Sequence, residues 1–206
     1  MDKKIIVTIS REFGSGGRDI GRGVAERLGI DFYDREILAL AAEKSGLSAS
    51  FAEDIEQKIK SKFLHNIAFG GYYAGADVSS SQLSLPDKLF IATCDIIRSL
   101  ADKGSCVIVG RCADYVLKDR DDVINIFIYA DLQHKAERIS KRHGLDIKKA
   151  ESESKKYDKY RANHYDYYTE REWGNRENYH LCLNSGFIGV EKAIDIIVDT
   201  VNDCLK

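Results

Sequence analysis

The 206-residue sequence has little proline, methionine or tryptophan, with one of each, and it contains no low-complexity tract. It also has no apolar stretch near the roughly 18 residues that a membrane-spanning helix requires. The first apolar run, Ile5 to Ile9, is too short for the core of a secretory signal, and no small-residue cleavage site follows it. We therefore expect a cytoplasmic protein that does not bind membranes.

Cysteines are few and have no metal-site spacing. The five thiols form no CxxC pair, and their odd number does not suit a complete set of disulfides. Reduced cysteines in a cytoplasmic protein are the expected state. The net charge of −2 provides no broad basic surface, so nucleic acid is not an expected partner, whereas a local basic site for a small phosphate compound fits the composition.

The chain alternates between segments typical of buried strands and segments with helical periodicity. The run from Ile5 to Ile9 is β-branched, and from Arg18 apolar residues recur at helical spacing until Gly29, a typical helix stop. Further strands are predicted at 31–34, 106–109, 123–129 and 180–183, and helices at 86–103, 131–142, 147–168 and 190–201. This alternation predicts an α/β fold, with a parallel sheet of about five strands flanked by helices.

Residues 36 to 85 interrupt the alternation. Ser50 and Glu53 have the spacing of a capping box, and the glycines and serines between Gly70 and Ser84 predict a mobile loop. Pro86 then suits the first turn of the next helix. We expect residues 36–85 to form a helical insertion beside the carboxyl edge of the sheet, within a single domain of residues 1–206.

The segment between the first strand and the first helix is rich in glycine. Glycines let backbone N–H groups point inward, and the start of a helix adds partial positive charge, so this location favours a bound phosphate. A sharp turn without a ligand is the alternative, but a turn alone does not need this many glycines. The residues expected to bind a nucleotide phosphate are Gly14, Ser15, Gly16, Gly17, Arg18 and Asp19.

This loop matches the P-loop pattern GxxxxGK[ST] incompletely in two registers. With Gly16 as the second glycine, Gly17 takes the lysine position and Arg18 the hydroxyl position; with Gly17 as the second glycine, these are Arg18 and Asp19. Arg18 is the expected substitute for the lysine, because a guanidinium binds two phosphate oxygens. Asp19 and water are alternative replacements for the hydroxyl ligand of a metal, and Arg11 precedes the glycines and is the weaker choice of cation.

Several segments carry a resemblance to the cytidylate-kinase-like family. They are ISREFGSGGR (9–18), LGIDFYDRE (28–36), VIVGR (107–111), ERISKR (137–142), DKYR (158–161), WG (173–174) and NY (178–179). The resemblance covers nearly the whole chain except the insertion. It implies a nucleoside monophosphate kinase fold of the P-loop NTPase type, with a lid at residues 138–165. The implied reaction transfers the γ-phosphate of ATP, with Mg²⁺, to CMP or a similar small acceptor.

The resemblance also implies roles for arginines of the lid. Arg138 and Arg142 are four residues apart on one helical face and match lid arginines. Arg161 lies one turn after Asp158, and this pair matches residues that hold the acceptor and the closed lid. For Arg138 and Arg142 the alternative is a solvated helix face, which the neighbouring Lys135 and Lys141 favour. For Asp158 and Arg161 the alternative is a structural ion pair.

Acceptor-binding residues are implied at the ends of two strands. Asp34 matches an acidic residue near the acceptor, and Arg111 matches an arginine on its phosphate, with an exposed turn as the alternative. Arg35 is also expected to bind the acceptor, although it departs from the small hydroxyl residue of the family at this position. Val109 replaces an aspartate of the family, for which Asp114 is a candidate substitute. These departures affect the specificity for cytidine.

Together these residues predict a phosphotransferase. Its catalytic residues are expected to be the arginines that neutralise charge on the transferred phosphate, which are Arg18, Arg138, Arg142 and Arg161. One alternative is a nucleotide-binding regulatory module without catalysis, which the missing lysine favours. Another is an ATP-independent protein that binds an anion such as sulfate in the same loop.

Overall fold

The computed structural model describes residues 4–44 and 84–205 of the chain. The described residues form two compact units, one from residues up to Asp34 together with those from Leu100 onward, and one between Arg35 and Ser99. Most of the predicted insertion lies outside the described residues, including the capping box at Ser50 and the glycine-rich segment from Gly70.

The first unit contains a five-stranded sheet that is parallel throughout. Its strands are β1 (Ile6–Arg11), β2 (Asp31–Tyr33), β3 (Cys106–Val109), β4 (Val123–Tyr129) and β5 (Leu181–Asn184), in the order β2-β3-β1-β4-β5. In the central strand, Thr8 is in register with Ile108 on one side and with Asn125 on the other. The predicted parallel sheet is confirmed, and the carboxyl ends of the strands therefore lie at one edge.

Helices connect and flank these strands. They are α1 (Gly17–Leu28), α2 (Glu36–Lys44), α3 (Leu85–Lys103), α4 (Ala113–Val116), α5 (Leu132–His143), α6 (Ile147–Thr169), α7 (Ser185–Ile188) and α8 (Val190–Leu205), with a 3₁₀ turn at Arg176–Asn178. Local sequence explains several ends: Asp131 and Asp146 accept backbone N–H bonds at the starts of α5 and α6. Gly29 adopts the left-handed conformation (φ 64°) that ends α1.

The two faces of the sheet pack differently. On one face, Val7, Ile9 and Ile126 pack with Ile20 of α1 and Ile197 of α8 in a continuous apolar core, and all five are fully buried. Burying one such side chain stabilises the fold by about 1.5–3 kcal/mol. Because side chains alternate along a strand, the opposite face carries Thr8, whose hydroxyl donates to Asn125 Oδ1 at 2.7 Å.

The second unit is helical where it is described. Leu38 and Ala41 of α2 pack with Leu89 and Ala92 of α3 in a small apolar cluster. The start of α3 is capped by Ser84, whose Oγ accepts a bond from the N–H of Asp87 at 3.3 Å, in agreement with the helix start predicted from the sequence.

Two findings bear on the environment of the chain. Among the described helices, none combines the length and the apolar character that crossing a bilayer requires. The five cysteines, all within the described residues, are free thiols, and three of them are buried.

Candidate active site

The glycine-rich loop between β1 and α1 has the backbone of an anion site. Gly14 and Gly16 have φ values of 85° and 82°, a conformation that residues with a side chain rarely adopt. Gly16 is the N-cap of α1 and contributes no side-chain cap, and the first helical bond runs from Ile20 N to Gly16 O at 3.0 Å. The N–H groups of Gly17, Arg18 and Asp19 therefore lie in the uncapped first turn, where a helix binds anions.

Arg138, on α5, stabilises this loop through hydrogen bonds to backbone carbonyls. Its Nη1 donates to Ser15 O at 2.9 Å and its Nη2 to Ser185 O at 2.8 Å, so one guanidinium joins the loop to the start of α7. The hydroxyl of Ser185 also donates to Ser15 O. A side chain at position 14 would bring its Cβ within 2.8 Å of Lys135 O, so Gly14 permits the close approach of α5. Arg138, predicted to act from a lid, is positioned here to hold the loop.

The tip of the loop, Phe13, is bound by α6. Its N–H donates to Asp158 Oδ1 at 2.6 Å, and its carbonyl accepts a bond from Ser154 Oγ at 3.2 Å. Its ring stacks on Tyr157 with centroids 4.5 Å apart and lies 5.8 Å from the guanidinium carbon of Arg161. Asp158 and Arg161, which were predicted to act on the acceptor, thus both contact the phosphate loop.

A buried lysine, Lys135, forms ion pairs with both Glu12 of the loop and Asp158 of α6. Its ammonium lies 2.8 Å from Asp158 Oδ2 and 2.9 Å from Glu12 Oε2, and the residue is 7% exposed. Burial favours a lower pKa, but the hydrogen bonds and charges of Asp158 and Glu12 outweigh it and raise the pKa of Lys135. Lys135 therefore does not lie on a solvated helix face, so it does not favour the solvated-face alternative for Arg138 and Arg142. In the sequence, the burial of Lys135 is indicated by its position four residues before Ile139, which places both side chains on the buried side of α5.

Asp34 brings two arginines together at the carboxyl edge of the sheet. It is 4% exposed, and its Oδ2 lies 2.7 Å from Arg18 Nε, although that N–H is not aligned for a hydrogen bond. Its Oδ1 lies 3.5 Å from Nη2 of Arg11, the last residue of β1. One carboxylate cannot neutralise two guanidinium groups, so the cluster of Arg11, Arg18 and Asp34 carries a net positive charge beside the uncapped start of α1.

Arg111 lies in an unusual turn after β3. Gly110, Arg111 and Cys112 have φ values of 76°, 59° and 55°, so three consecutive residues adopt the left-handed conformation. For each of the two residues with a side chain, this conformation costs roughly 1–2 kcal/mol, and such strain is concentrated at functional sites. Arg35, which was also predicted to bind the acceptor, belongs to the second unit, where its carbonyl accepts a bond from Leu38 N at 3.1 Å.

Asp114, the candidate substitute for the family's aspartate, has a different environment. Burial raises the pKa of its carboxyl above the ordinary value of 3.8, and its Oδ2 accepts a bond from the hydroxyl of Tyr165 at 2.6 Å. Burial together with the charge of Asp114 raises the pKa of Tyr165 in turn. This pair joins α4 to α6.

The donors around the loop suit phosphate better than a resident metal ion. Asp19 is half exposed, and its Oδ2 lies 2.6 Å from Nη2 of Arg142, while Asp34 is paired with arginines. Within residues 4–44 and 84–205, no group of three or more His, Cys, Asp or Glu side chains is placed to hold a metal. The uncapped glycine loop fits the phosphates of ATP, whereas these carboxylates do not fit a protein site for Mg²⁺ in this arrangement.

Known proteins resemble this chain in sequence and in fold. The cytidylate kinase of Archaeoglobus fulgidus is 25% identical over 197 residues, which are 95% of this chain and 93% of that protein. Among solved structures, an uncharacterized protein from Eubacterium ventriosum has a TM-score of 0.72 and 29% identity, covering 97% of this chain and 99% of the other.

The fold also extends to more distant kinases. Shikimate kinase from Acinetobacter baumannii, solved in complex with shikimate, has a TM-score of 0.52 at 16% identity and covers 100% of this chain and 97% of the other. At that identity the likeness shows the fold alone, which is that of P-loop kinases. The model of the cytidylate kinase-like family matches residues 6–186, and because this match spans most of the chain, the protein belongs to the cytidylate kinase-like family.

Proposed function

We propose that this protein is a nucleoside monophosphate kinase that transfers the γ-phosphate of ATP to CMP or a closely related monophosphate. The observation that carries the proposal is the positive cluster of Arg11, Arg18 and Asp34 beside the uncapped start of α1. Family membership supports the class of acceptor, because relatives at 25–27% identity are named cytidylate kinases.

The loop binds the phosphates of the donor nucleotide. The first-turn N–H groups from Gly17 to Asp19 donate to phosphate oxygens, and the partial positive charge at the helix start favours an anion there. Arg18 adds a full charge at the same place, held close to the loop by Asp34. Magnesium would enter bound to ATP, as the MgATP substrate, and would neutralise phosphate charge. In such sites Mg²⁺ usually keeps several water ligands together with substrate phosphates.

Transfer needs positive charge rather than an added base. A phosphate oxygen of the acceptor is already ionised near neutral pH, so it attacks the γ-phosphorus directly while the bond to the leaving oxygen of ADP breaks. Arg18, Arg142 and Arg161 stabilise the charge on the transferred group in this proposal. Arg138 contributes by holding the loop, since its guanidinium is hydrogen-bonded to Ser15 O and Ser185 O.

Residues around the carboxyl edge bind the acceptor. Arg111, in the strained turn after β3, binds the acceptor phosphate in this proposal. A role for Arg35 in selecting the base or sugar is a separate proposal, which rests on its place in the sequence directly after Asp34. Asp158 acts indirectly, because its two oxygens are bonded to Phe13 N and Lys135 Nζ and thus connect α6 to the donor loop. The position of α6 is therefore coupled to the conformation of the phosphate loop.

The proposal predicts a preference among acceptors. Purified protein is assayed with MgATP against CMP, dCMP, UMP, AMP, shikimate and gluconate, with ADP formation as the readout. We expect acceptor-dependent ADP release with the highest kcat/KM for CMP or dCMP.

The same assay tests the regulatory alternative, which the missing lysine favours. ATP affinity is measured by calorimetry in parallel, with and without Mg²⁺. Tight ATP binding without phosphorylation of any acceptor would make the protein a nucleotide-binding module, and binding of sulfate but not ATP would make it an anion-binding protein.

A further inference from the structure

The loop departs from the P-loop pattern at two positions that are neighbours in space. With Gly16 as the second glycine, the pattern places its first glycine at position 11 and its lysine at position 17. Here position 11 is an arginine and position 17 is a glycine. α1 begins at Gly17 with Gly16 as its N-cap, so this register puts the lysine position in the first turn of the helix.

Side chains at these two positions exclude each other. A Cβ built on Gly17 would lie 2.5 Å from Cβ of Arg11 and 2.9 Å from its Cγ, which is too close for real atoms. The first of these atoms is attached directly to the backbone, so rotation of the arginine does not relieve the overlap. A lysine at 17 therefore requires a glycine at 11, as in the usual pattern, and an arginine at 11 requires a glycine at 17.

The far end of the Arg11 side chain lies at the edge of the sheet where phosphate is expected. Its Nη1 is 1.8 Å from the position that a Cβ on Gly110 would occupy, so the guanidinium lies directly against the end of β3. Its Nη2 approaches Asp34 Oδ1 at 3.5 Å. The side chain thus starts at the end of β1, crosses the start of α1 and ends between Gly110 and Asp34.

We infer that Arg11 supplies the phosphate-binding charge that a lysine at position 17 supplies in the usual P-loop. This inference rests on the proposed function, since it names a further residue that contacts the transferred phosphate. In this loop the cation, Arg11, is the last residue of the strand, and the glycine, Gly17, is the first residue of the helix. In the usual pattern the glycine precedes and the lysine begins the helix. Arg18 then stands at the hydroxyl position, so the loop has two guanidinium groups where the usual loop has an ammonium and a hydroxyl.

Exchanging the two residues tests this inference. The full-length variants are Arg11→Gly, Gly17→Lys and the double variant Arg11→Gly/Gly17→Lys, which restores the usual pattern at both positions. Arg11→Met removes the charge but keeps the aliphatic packing, and Arg11→Lys keeps the charge. Turnover is measured with the best acceptor, ATP affinity by calorimetry, and the melting temperature by circular dichroism.

The expected results are strongly non-additive. Arg11→Gly and Arg11→Met should each lower kcat by about 100- to 1,000-fold, the usual effect of losing a donor to the transition state. Arg11→Lys should retain more activity than Arg11→Met. Gly17→Lys should lower the melting temperature by several degrees, because the new side chain overlaps Arg11. The double variant should recover that stability and at least ~10-fold in kcat over Arg11→Gly.

Two outcomes overturn the inference. Near-wild-type turnover in Arg11→Met would show that the charge at position 11 is not used, and simple additivity of the two changes in the double variant would show that the positions do not substitute for each other. Failure of the proposed function has a different signature, because the wild-type protein would then phosphorylate no acceptor. In that case the same non-additive pattern is expected in ATP affinity, and its absence overturns the inference.

Discussion

Replacing Arg18 with alanine is expected to lower kcat by about 100- to 1,000-fold while the protein remains folded. The Arg18 side chain is 40% exposed and its described ion pair is with Asp34, so the fold does not depend on it. Without Arg18, the remaining pair of Arg11 and Asp34 has no net charge, and the loop loses a donor to the transferred phosphate. An interaction made mainly in the transition state lowers kcat more than it raises KM.

Steady-state kinetics with MgATP and the best acceptor measure this effect. Arg18→Lys retains the charge but loses the two-oxygen geometry, so its turnover should lie between those of the wild type and Arg18→Ala. Arg27→Ala is the matched control, because Arg27 lies at the other end of α1 in exposed contacts with Glu191 and Asp195. Turnover of Arg18→Ala close to that of Arg27→Ala would remove Arg18 from the catalytic set.

Replacing Asp158 with alanine is expected to reduce the free energy of unfolding by about 3 kcal/mol. The change removes a charged hydrogen bond from the buried ammonium of Lys135, which keeps only Glu12 as a partner. The change also leaves the N–H of Phe13 without its acceptor. Because the neighbouring carboxylates raise the pKa of Lys135 above 10.5, its stabilising charge is complete below that pH and is lost only as the pH rises through the raised value.

Chemical denaturation near neutral pH measures this loss as a shift in the midpoint. Asp158→Asn should be less destabilising than Asp158→Ala, because the amide oxygen still accepts the bond from Phe13 N. Glu153→Ala, on the same helix, removes a partly exposed carboxylate paired with Lys156 and should change stability by less than about 0.5 kcal/mol. An Asp158→Ala variant as stable as Glu153→Ala would show that the buried network contributes little to the fold.

Local sequence was enough to predict most of the fold. The β-branched run before the glycines and the hydrophobic segments at 106–109 and 123–129 became the central strands, because strands buried in a parallel sheet are continuously apolar. The capping aspartate Asp131 and the stop at Gly29 lie where the helices begin and end. The order of the strands could not be read from the sequence, since it depends on contacts between distant segments.

The site was predicted less completely, because its pairings join residues far apart in the chain. The glycine loop was identified from its position between strand and helix, and Asp34 and Arg18 were each singled out. Their pairing was not predicted, and neither was the contact of Asp158 with Phe13, which is 145 residues away. From the sequence, Arg11 was the weaker choice of cation because it precedes the glycines. Its overlap with a side chain at position 17 is visible only in three dimensions.

A crystal structure with a bisubstrate analogue, in which adenosine and cytidine are joined through a chain of phosphates, tests the central claim most directly. The account predicts that the phosphate chain lies on the backbone N–H groups from Gly14 to Arg18. It also predicts that the guanidinium groups of Arg11 and Arg18 lie within hydrogen-bonding distance of its oxygens. Well-ordered analogue bound elsewhere on the protein, with this loop empty, would contradict the account.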